Sequence, residues 1–316
     1  MKRTLLFIGT IMATMSYAQD CSDLFISEYV EGVGNNKALE IYNPTSADID
    51  LSEYMVIRYS NGATSATSAN AVQLTGTIAA YDVHVGVIDK NDPNGTAQNT
   101  PIWDSLHVRA DEFYCPDYAV SNAFYWNGND AIALAKGDVS NVGAAVLVDI
   151  FGKIGEDPGD GWSTDFPYTG AGVVVTKDHS LIRKSTVMTG ETNPVVSYFD
   201  PLLEYDSIPA LIEIGGQDYG NWSSLGEHDC GCTPASTDEL TTEKVSVFPN
   251  PSKGEFFVKG AYGDVTVLNA LGQTVATIKN KSNGILSFDL GSKRGVYFVK
   301  MKDASGKDVT KRVIVK

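Results

Sequence analysis

The chain has 316 residues, 43% of them hydrophobic and 20% charged, with a formal net charge of −15. That length accommodates two domains, and the acidity disfavours nucleic acid phosphates and anionic membrane surfaces as partners. Divalent cations, neutral glycans and basic partners stay compatible with it.

Lys2 and Arg3 precede an apolar stretch from Leu5 to Met15, then Ser16-Tyr17-Ala18. A basic start, an apolar run too short to span a bilayer and a small-x-small site predict a signal peptide over residues 1–18, cut between Ala18 and Gln19. Cys21 lacks the small residues that should precede a lipoprotein cysteine, and no later stretch is long and apolar enough to cross a membrane as a helix. A soluble or tethered exported protein is expected.

From residue 20 to 232 the chain shows no convincing amphipathic helix. Short alternating segments recur instead: Leu24–Val30, Ala38–Tyr42, Met55–Tyr59, Ala71–Leu74, Val83–Ile88, Ala131–Ala135 and Ala145–Phe151. Clusters of Gly, Asn, Asp, Ser and Pro separate them. Period-two apolar patterning between such turn signals predicts an all-β sandwich. The polar runs Ser60–Asn70 and Asn91–Thr100 are expected as exposed connections.

Several ordered pieces add a resemblance. Leu24-Phe25-Ile26-Ser27-Glu28-Tyr29-Val30-Glu31-Gly32 is followed by Asn35-Asn36-Lys37-Ala38-Leu39-Glu40-Ile41-Tyr42-Asn43-Pro44 and Asp50-Leu51-Ser52. Later come Trp126-Asn127-Gly128-Asn129-Asp130-Ala131-Ile132-Ala133-Leu134, Val148-Asp149-Ile150-Phe151-Gly152 leading to Trp162, and Ser180-Leu181-Ile182-Arg183-Lys184. Together they resemble a bacterial lamin-tail domain over about residues 22–184, with an extension to Asn221-Trp222-Ser223-Ser224-Leu225-Gly226, inside an upstream domain expected over residues 20–232. The resemblance implies an Ig-like β-sandwich of a generally non-catalytic kind that binds or anchors, often beside secreted nucleases and phosphoesterases. The loop Gly155–Gly161 and the stretch Glu191–Gly220 depart from the pattern.

The chemistry-bearing residues are sparse. His84, His107, His179 and His228 form no H-E-x-x-H pair, and no G-x-S-x-G elbow or P-loop occurs. Asp89–Gly95 resembles a calcium loop only loosely, because Pro93 stands where a ligand belongs and no Glu closes the loop. Glu156, Asp157 and Asp160 crowd a glycine-rich loop ending in Trp162. That loop has two readings. It is a cation site with Trp162 as a stacking surface for a sugar, or, as we favour, a solvated turn with Trp162 covering the core. No cofactor is expected, Ca2+ aside. Glu28 and Glu40 fall inside predicted strands, where a half-buried carboxylate needs a cation or donors. Lys37, Arg58 and Arg183 are the candidates, with Glu28 expected on the face of Leu24, Ile26 and Val30.

Cys21, Cys115, Cys230 and Cys232 allow three pairings if the chain is exported. A bridge from Cys21 to Cys230 or Cys232 would staple the two ends of the upstream domain. Zinc suits Cys230-Gly231-Cys232 poorly, since the spacing is short and no His pair is near.

Residues 233–243, rich in Thr, Ser and Pro, predict a linker. Beyond it the charge inverts. Residues 244–316 hold 13 Lys plus Arg against 5 Asp plus Glu, net +8, which leaves −23 on residues 1–243. Val265 and Val267, then Val296 and Phe298, alternate as strands do, and Pro249-Asn250-Pro251 forces a sharp exit from the strand before it. This tail resembles the C-terminal sorting domain of the type IX secretion system. The likeness rests on Val245-Ser246-Val247-Phe248-Pro249-Asn250-Pro251, Gly272-Gln273, Gly295-Val296-Tyr297-Phe298-Val299-Lys300 and Lys311-Arg312-Val313-Ile314-Val315-Lys316. It implies a second, smaller β-sandwich over residues 244–316, read by the type IX machinery and usually removed. The site is then the surface or surroundings of a Gram-negative outer membrane, with release or a glycolipid anchor as the two fates. The function expected is a non-enzymatic binding, adhesion or scaffolding module for an unknown extracellular ligand, with no nucleic acid partner. A hydrolase, or an accessory subunit with a cation site, is the alternative.

Overall fold

The computed structural model describes residues 21–165, 171–232, 245–279, 285–291, 293–303, 306 and 308–316. The expected signal peptide, with Ala18 and Gln19, and the expected linker lie outside the described residues.

The upstream strands are β1 (Phe25–Glu31), β2 (Lys37–Tyr42), β3 (Ile49–Asp50), β4 (Tyr54–Tyr59), β5 (Ala71–Gln73), β6 (Thr77–Ile78) and β7 (Val83–Ile88). They continue as β8 (Glu112–Tyr114), β9 (Ala131–Lys136), β10 (Val146–Phe151), β11 (His179–Arg183), β12 (Tyr205–Pro209), β13 (Leu211–Ile214) and β14 (Gln217–Gly220). The helices described are two single turns, α1 (Asp104–His107) and α2 (Pro201–Glu204), and short 3-10 segments. A six-stranded sheet runs β12-β11-β1-β2-β7-β8, and a four-stranded sheet runs β10-β9-β4-β5. Every pairing in them is antiparallel except β7 with β8.

The two sheets bury a common core. Ile26, Tyr29, Leu39 and Ile41 from the first meet Val56, Ile132, Leu134 and Phe151 from the second. Tyr29 stacks on Phe151 with ring centroids 4.2 Å apart, and Trp126 covers it, donating Nε1–H to the Val30 carbonyl at 3.0 Å. The outer face of the four-stranded sheet is also dry. Met55, Ile57, Ala133, Ala135 and Ile150 pack there against Ala66, Val142 and Ile154 from connecting segments. Covering both faces of a sheet explains why these strands carry near-continuous apolar runs.

A β-bulge alters one expectation. The β1–β2 register shifts between Ile26 and Glu28, so Glu28 stands opposite Glu40, while Ile26 faces Ile41 on the core side. Glu28 therefore shares a face with Phe25 and Val30, not with Leu24 and Ile26. Its cation is also a different one. Lys37 pairs with Glu31 at 2.6 Å, Arg58 with Asp130, and Arg183 with Asp149 and Glu204. Arg109 is the residue beside Glu28, Glu227 and Glu40; burial lowers its pKa and these carboxylates raise it in opposition.

The segment from Asn221 to Cys232 forms a strap over this outer face of β1 and β2. Ser224 donates to Glu28 at 2.9 Å, Gly226 N–H donates to Glu40 at 2.6 Å, and Arg109 donates to the Leu225 carbonyl. His228 lies edge-on to Phe25 and Tyr42. The strap ends in a Cys21–Cys232 disulfide, leaving Cys115 and Cys230 as buried thiols.

The tail is a separate small sandwich. Its strands are β15 (Ser246–Phe248), β16 (Glu255–Lys259), β17 (Tyr262–Asn269), β18 (Thr274–Ile278), β19 (Leu286–Asp289), β20 (Gly295–Lys302) and β21 (Asp308–Val315). Sheets β15-β16-β19 and β18-β17-β20-β21 enclose Phe256, Val258, Val265, Val267, Val299 and Val313.

Candidate functional site

The Ser60–Asn70 connection and the loop from Gly155 to Trp162 meet at one end of the upstream sandwich. The connection between β4 and β5 and the loop after β10 are joined by Gly155 N–H donating to the Ala63 carbonyl at 3.1 Å. Asn129 braces both, donating Nδ2–H to Asn61 Oδ1 at 3.2 Å and to the Gly159 carbonyl at 2.8 Å. Asp130 anchors the arrangement from below. It accepts from Asn61 N–H at 3.0 Å and lies 3.5 Å from Arg58 Nε. Burial raises the Asp130 pKa, and Arg58 opposes that rise. Asn61 holds a left-handed φ of 48°, a conformation Asn tolerates better than most residues.

The loop carboxylates are occupied individually. Glu156 pairs with Lys153 at 2.7 Å, Asp157 accepts from Gly159 N–H at 2.9 Å in a tight turn, and the exposed Asp160 lies 3.8 Å from Lys177. They do not converge. Among the described residues no three His, Cys, Asp or Glu side chains are grouped to hold a metal. In the Asp89–Gly95 loop, Asp89 accepts from Asn91 and Asp92 accepts from Asn94 N–H, again as local turns.

Trp162 follows the favoured reading, covering the core, and not the stacking one. It is 1% exposed and presents no face to a ligand. Its backbone N–H donates to Thr176 Oγ1 at 2.9 Å, and its ring packs edge-on to Phe151 and Phe199. Gly152, at φ 93°, makes room for it: a Cβ there would stand 2.7 Å from the indole.

What Trp162 supports is a groove that sequence reasoning missed. About 350 Å³ in volume, it is lined by Ile150, Gly152, Tyr198, Phe199 and Leu203, with Glu191, Asp200 and Glu204 around it. Lys153 ties it to the loop end by donating to the Ser197 carbonyl at 2.8 Å. Tyr198 is 44% exposed and Leu203 68%. The signal available in the sequence was the Tyr198-Phe199 pair, two aromatics within a polar stretch that matched no motif. A larger cleft of about 700 Å³ is bounded by residues of both sandwiches, where Lys311 pairs with Glu227 at 2.8 Å.

In the tail, the singled-out residues shape the fold. Asn250, between Pro249 and Pro251, donates to the Arg312 carbonyl at 3.0 Å and accepts from Ile314 N–H at 2.8 Å, pinning that exit to β21. Gly272, at φ 78°, completes the β17–β18 turn. Gly295 opens β20, Tyr297 is buried and donates to the Lys293 carbonyl, Lys300 is exposed, and Lys316 N–H bonds the Ser252 carbonyl.

Residues 18–147 match the family model of the Lamin Tail Domain, and residues 246–316 match that of the Secretion system C-terminal sorting domain. No curated protein matches the chain. The first match ends inside β10, so β11, β12, the groove segment and the strap lie beyond it. The sorting domain implies interaction with the type IX machinery and a secreted or cell-surface location. Both matched families are non-catalytic.

Proposed function

We propose that this chain, which carries a lamin tail domain followed by a type IX sorting domain, is an exported binding or adhesion module whose ligand contact is the groove at β10 and the braced loops beside it. The groove carries the reading: an exposed tyrosine and leucine over an apolar floor, ringed by carboxylates. Such a surface suits a neutral or cationic group with an apolar face, and a glycan ring stacking on Tyr198 is the ligand we favour. The loops supply rigidity, since Asn129 and Asp130 hold them before a ligand arrives.

The test is binding of the mature chain to an array of neutral cell-surface glycans. Saturable binding is expected, weakened about tenfold by Tyr198→Ala through loss of the ring face. The hydrolase alternative takes over if the chain turns over a nucleic acid, phosphoester or glycan with kinetics that alanine at Glu156, Asp157 or Asp160 abolishes. Calorimetry with Ca2+ addresses the same loop, where a tight site would favour a cation-dependent mode. Mass spectrometry of the cell-surface species distinguishes release from a glycolipid anchor.

A further inference from the structure

The signature strands of the tail carry more apolar surface than their own fold uses. In β20 and β21 the inward residues Tyr297, Val299, Met301, Val313 and Val315 fill the core. The alternate residues point out. Cross-strand pairing sets Val296 beside Ile314, and Phe298 between Leu268 and Arg312. Val296 is 40% exposed and Phe298 37%. A sheet face turned to water is expected to be polar, yet the middle of this one is a valine and a phenylalanine flanked by Leu268 and Ile314. Basic residues continue the same face: Lys300 between Thr266 and Thr310 and Arg312 beside Phe298, while Lys302 in the next row pairs with Asp308.

We propose that this outer face, centred on Val296 and Phe298 with Lys300 and Arg312 at its rim, is the surface by which the tail docks on the type IX machinery. The inference rests on the sorting reading and adds the place and chemistry of contact. The occupant is a protein surface with an apolar centre and an acidic rim. One observation opposes a second copy and one gives the contact its layout. The tail's net charge of +8 repels another tail, and the row of apolar residues bordered by cations has the layout of an interface core and rim. The signature then has two halves, one folding the domain and the other being read.

The experiment uses the full chain expressed in a type IX-exporting host. Variants are Val296→Thr with Phe298→Thr, which keep strand-forming side chains, and Lys300→Glu with Arg312→Glu, which leave the core untouched. Purified chains are titrated against outer-membrane vesicles from that host and from a strain lacking the machinery. Wild type should bind only the former, more weakly in high salt, and each double variant should bind roughly tenfold or more weakly, as expected for central interface residues, with export falling in step. Circular dichroism melting reports whether the tail is still folded. If both folded variants bind and export as wild type, the assignment of the face is overturned. Equal binding to vesicles without the machinery would overturn it in favour of a lipid surface, and concentration-dependent dimerisation lost in the variants would overturn it in favour of a second copy. Deleting residues 244–316 separates the premises: normal export of that deletion defeats the sorting reading itself, whereas blocked export with unaffected face variants defeats only this inference.

Discussion

Asp149 has a side chain with no exposed surface and four donors around it. Ile26 N–H, freed by the bulge in β1, donates to Oδ2 at 2.8 Å; Ile150 and Glu191 N–H donate to Oδ1; Arg183 closes the set through Nη1. Burial would lower the Arg183 pKa, but Asp149, Tyr205 and Glu204 hold it raised. Removing Asp149 leaves the buried Arg183 with Glu204 as its one ion-pair partner among the described residues and takes the acceptor from three backbone N–H groups. Asp149→Ala should therefore cost about 3–5 kcal/mol, whereas replacing Asp149 and Arg183 together with leucine and methionine should recover part of that. Urea midpoints of the three proteins decide it, and a loss under about 1 kcal/mol for Asp149→Ala would show that the network contributes little. His84 acts on a different axis. It is buried in β7 with Nε2 3.0 Å from the Tyr114 hydroxyl, and burial lowers its pKa below 6.5 while Asp111 and Glu112 raise it in opposition. The folded state thus binds fewer protons than the unfolded one just below that value. Stability from His84 is complete above pH 6.5 and is lost as the pH falls below it, by at most about 1.4 kcal/mol per pH unit. Comparing the melting temperature of wild type and His84→Gln across pH 7 to 5 should show the variant losing less on acidification.

At the scale of elements, the seven strands expected upstream all occur, each within one residue of its expected ends, because period-two burial and turn residues are local signals. What depends on distant partners was not legible. The face of Glu28 was misassigned since a bulge has no mark in one strand's pattern; it shows only when β2 is laid alongside. That Trp162 covers the core was the reading favoured from its sequence, but its partners there, Phe151 and Phe199, come from elsewhere in the chain and had no local mark. The hairpin β13–β14 and the strap were hidden in a stretch without clear alternation. The strap also carries a prediction. Arg109, Ser224 and Gly226 hold it over Glu28 and Glu40, and the Cys21–Cys232 bond closes a loop of 211 residues. Constraint of so long a loop in the unfolded chain is worth up to about 5 kcal/mol, and removal of native disulfides usually costs about 2–5. Reduction, or Cys232→Ser with Cys230→Ser to prevent a substitute bond, should lower stability by that amount and speed amide exchange at Gly226 and its neighbours ahead of the β1 and β2 amides. Equal protection in the reduced and oxidised proteins would mean that the carboxylate contacts alone hold the strap.

Across the whole molecule, the chain divides its charge and its core at the same place. Residues 1–243 carry −23 and the remainder +8. The principal core upstream, built on residues from Leu24 to Leu225, shares no member with that of the tail, built on Val245 to Val315. Among the described residues, the two are joined by the Lys311–Glu227 ion pair, 33% and 58% exposed at its side chains, and by the edge-on approach of Tyr219 to the buried Phe257. Exposed ion pairs contribute about 0–1 kcal/mol and weaken in salt. Separate cores let a sorting signal be read by one partner without drawing on the fold of its passenger. The prediction is two calorimetric transitions in the full chain. The upstream transition should keep its midpoint within about 1 °C when the chain is cut between residues 232 and 245, because surface contacts shift a domain of that size little. Raising the salt to about 1 M, where the screening length falls to about 3 Å, should change the separation of the two transitions by no more than the ion pair is worth. A single cooperative transition, or an upstream part that melts several degrees lower once freed, would show instead that the tail is a structural member of the passenger.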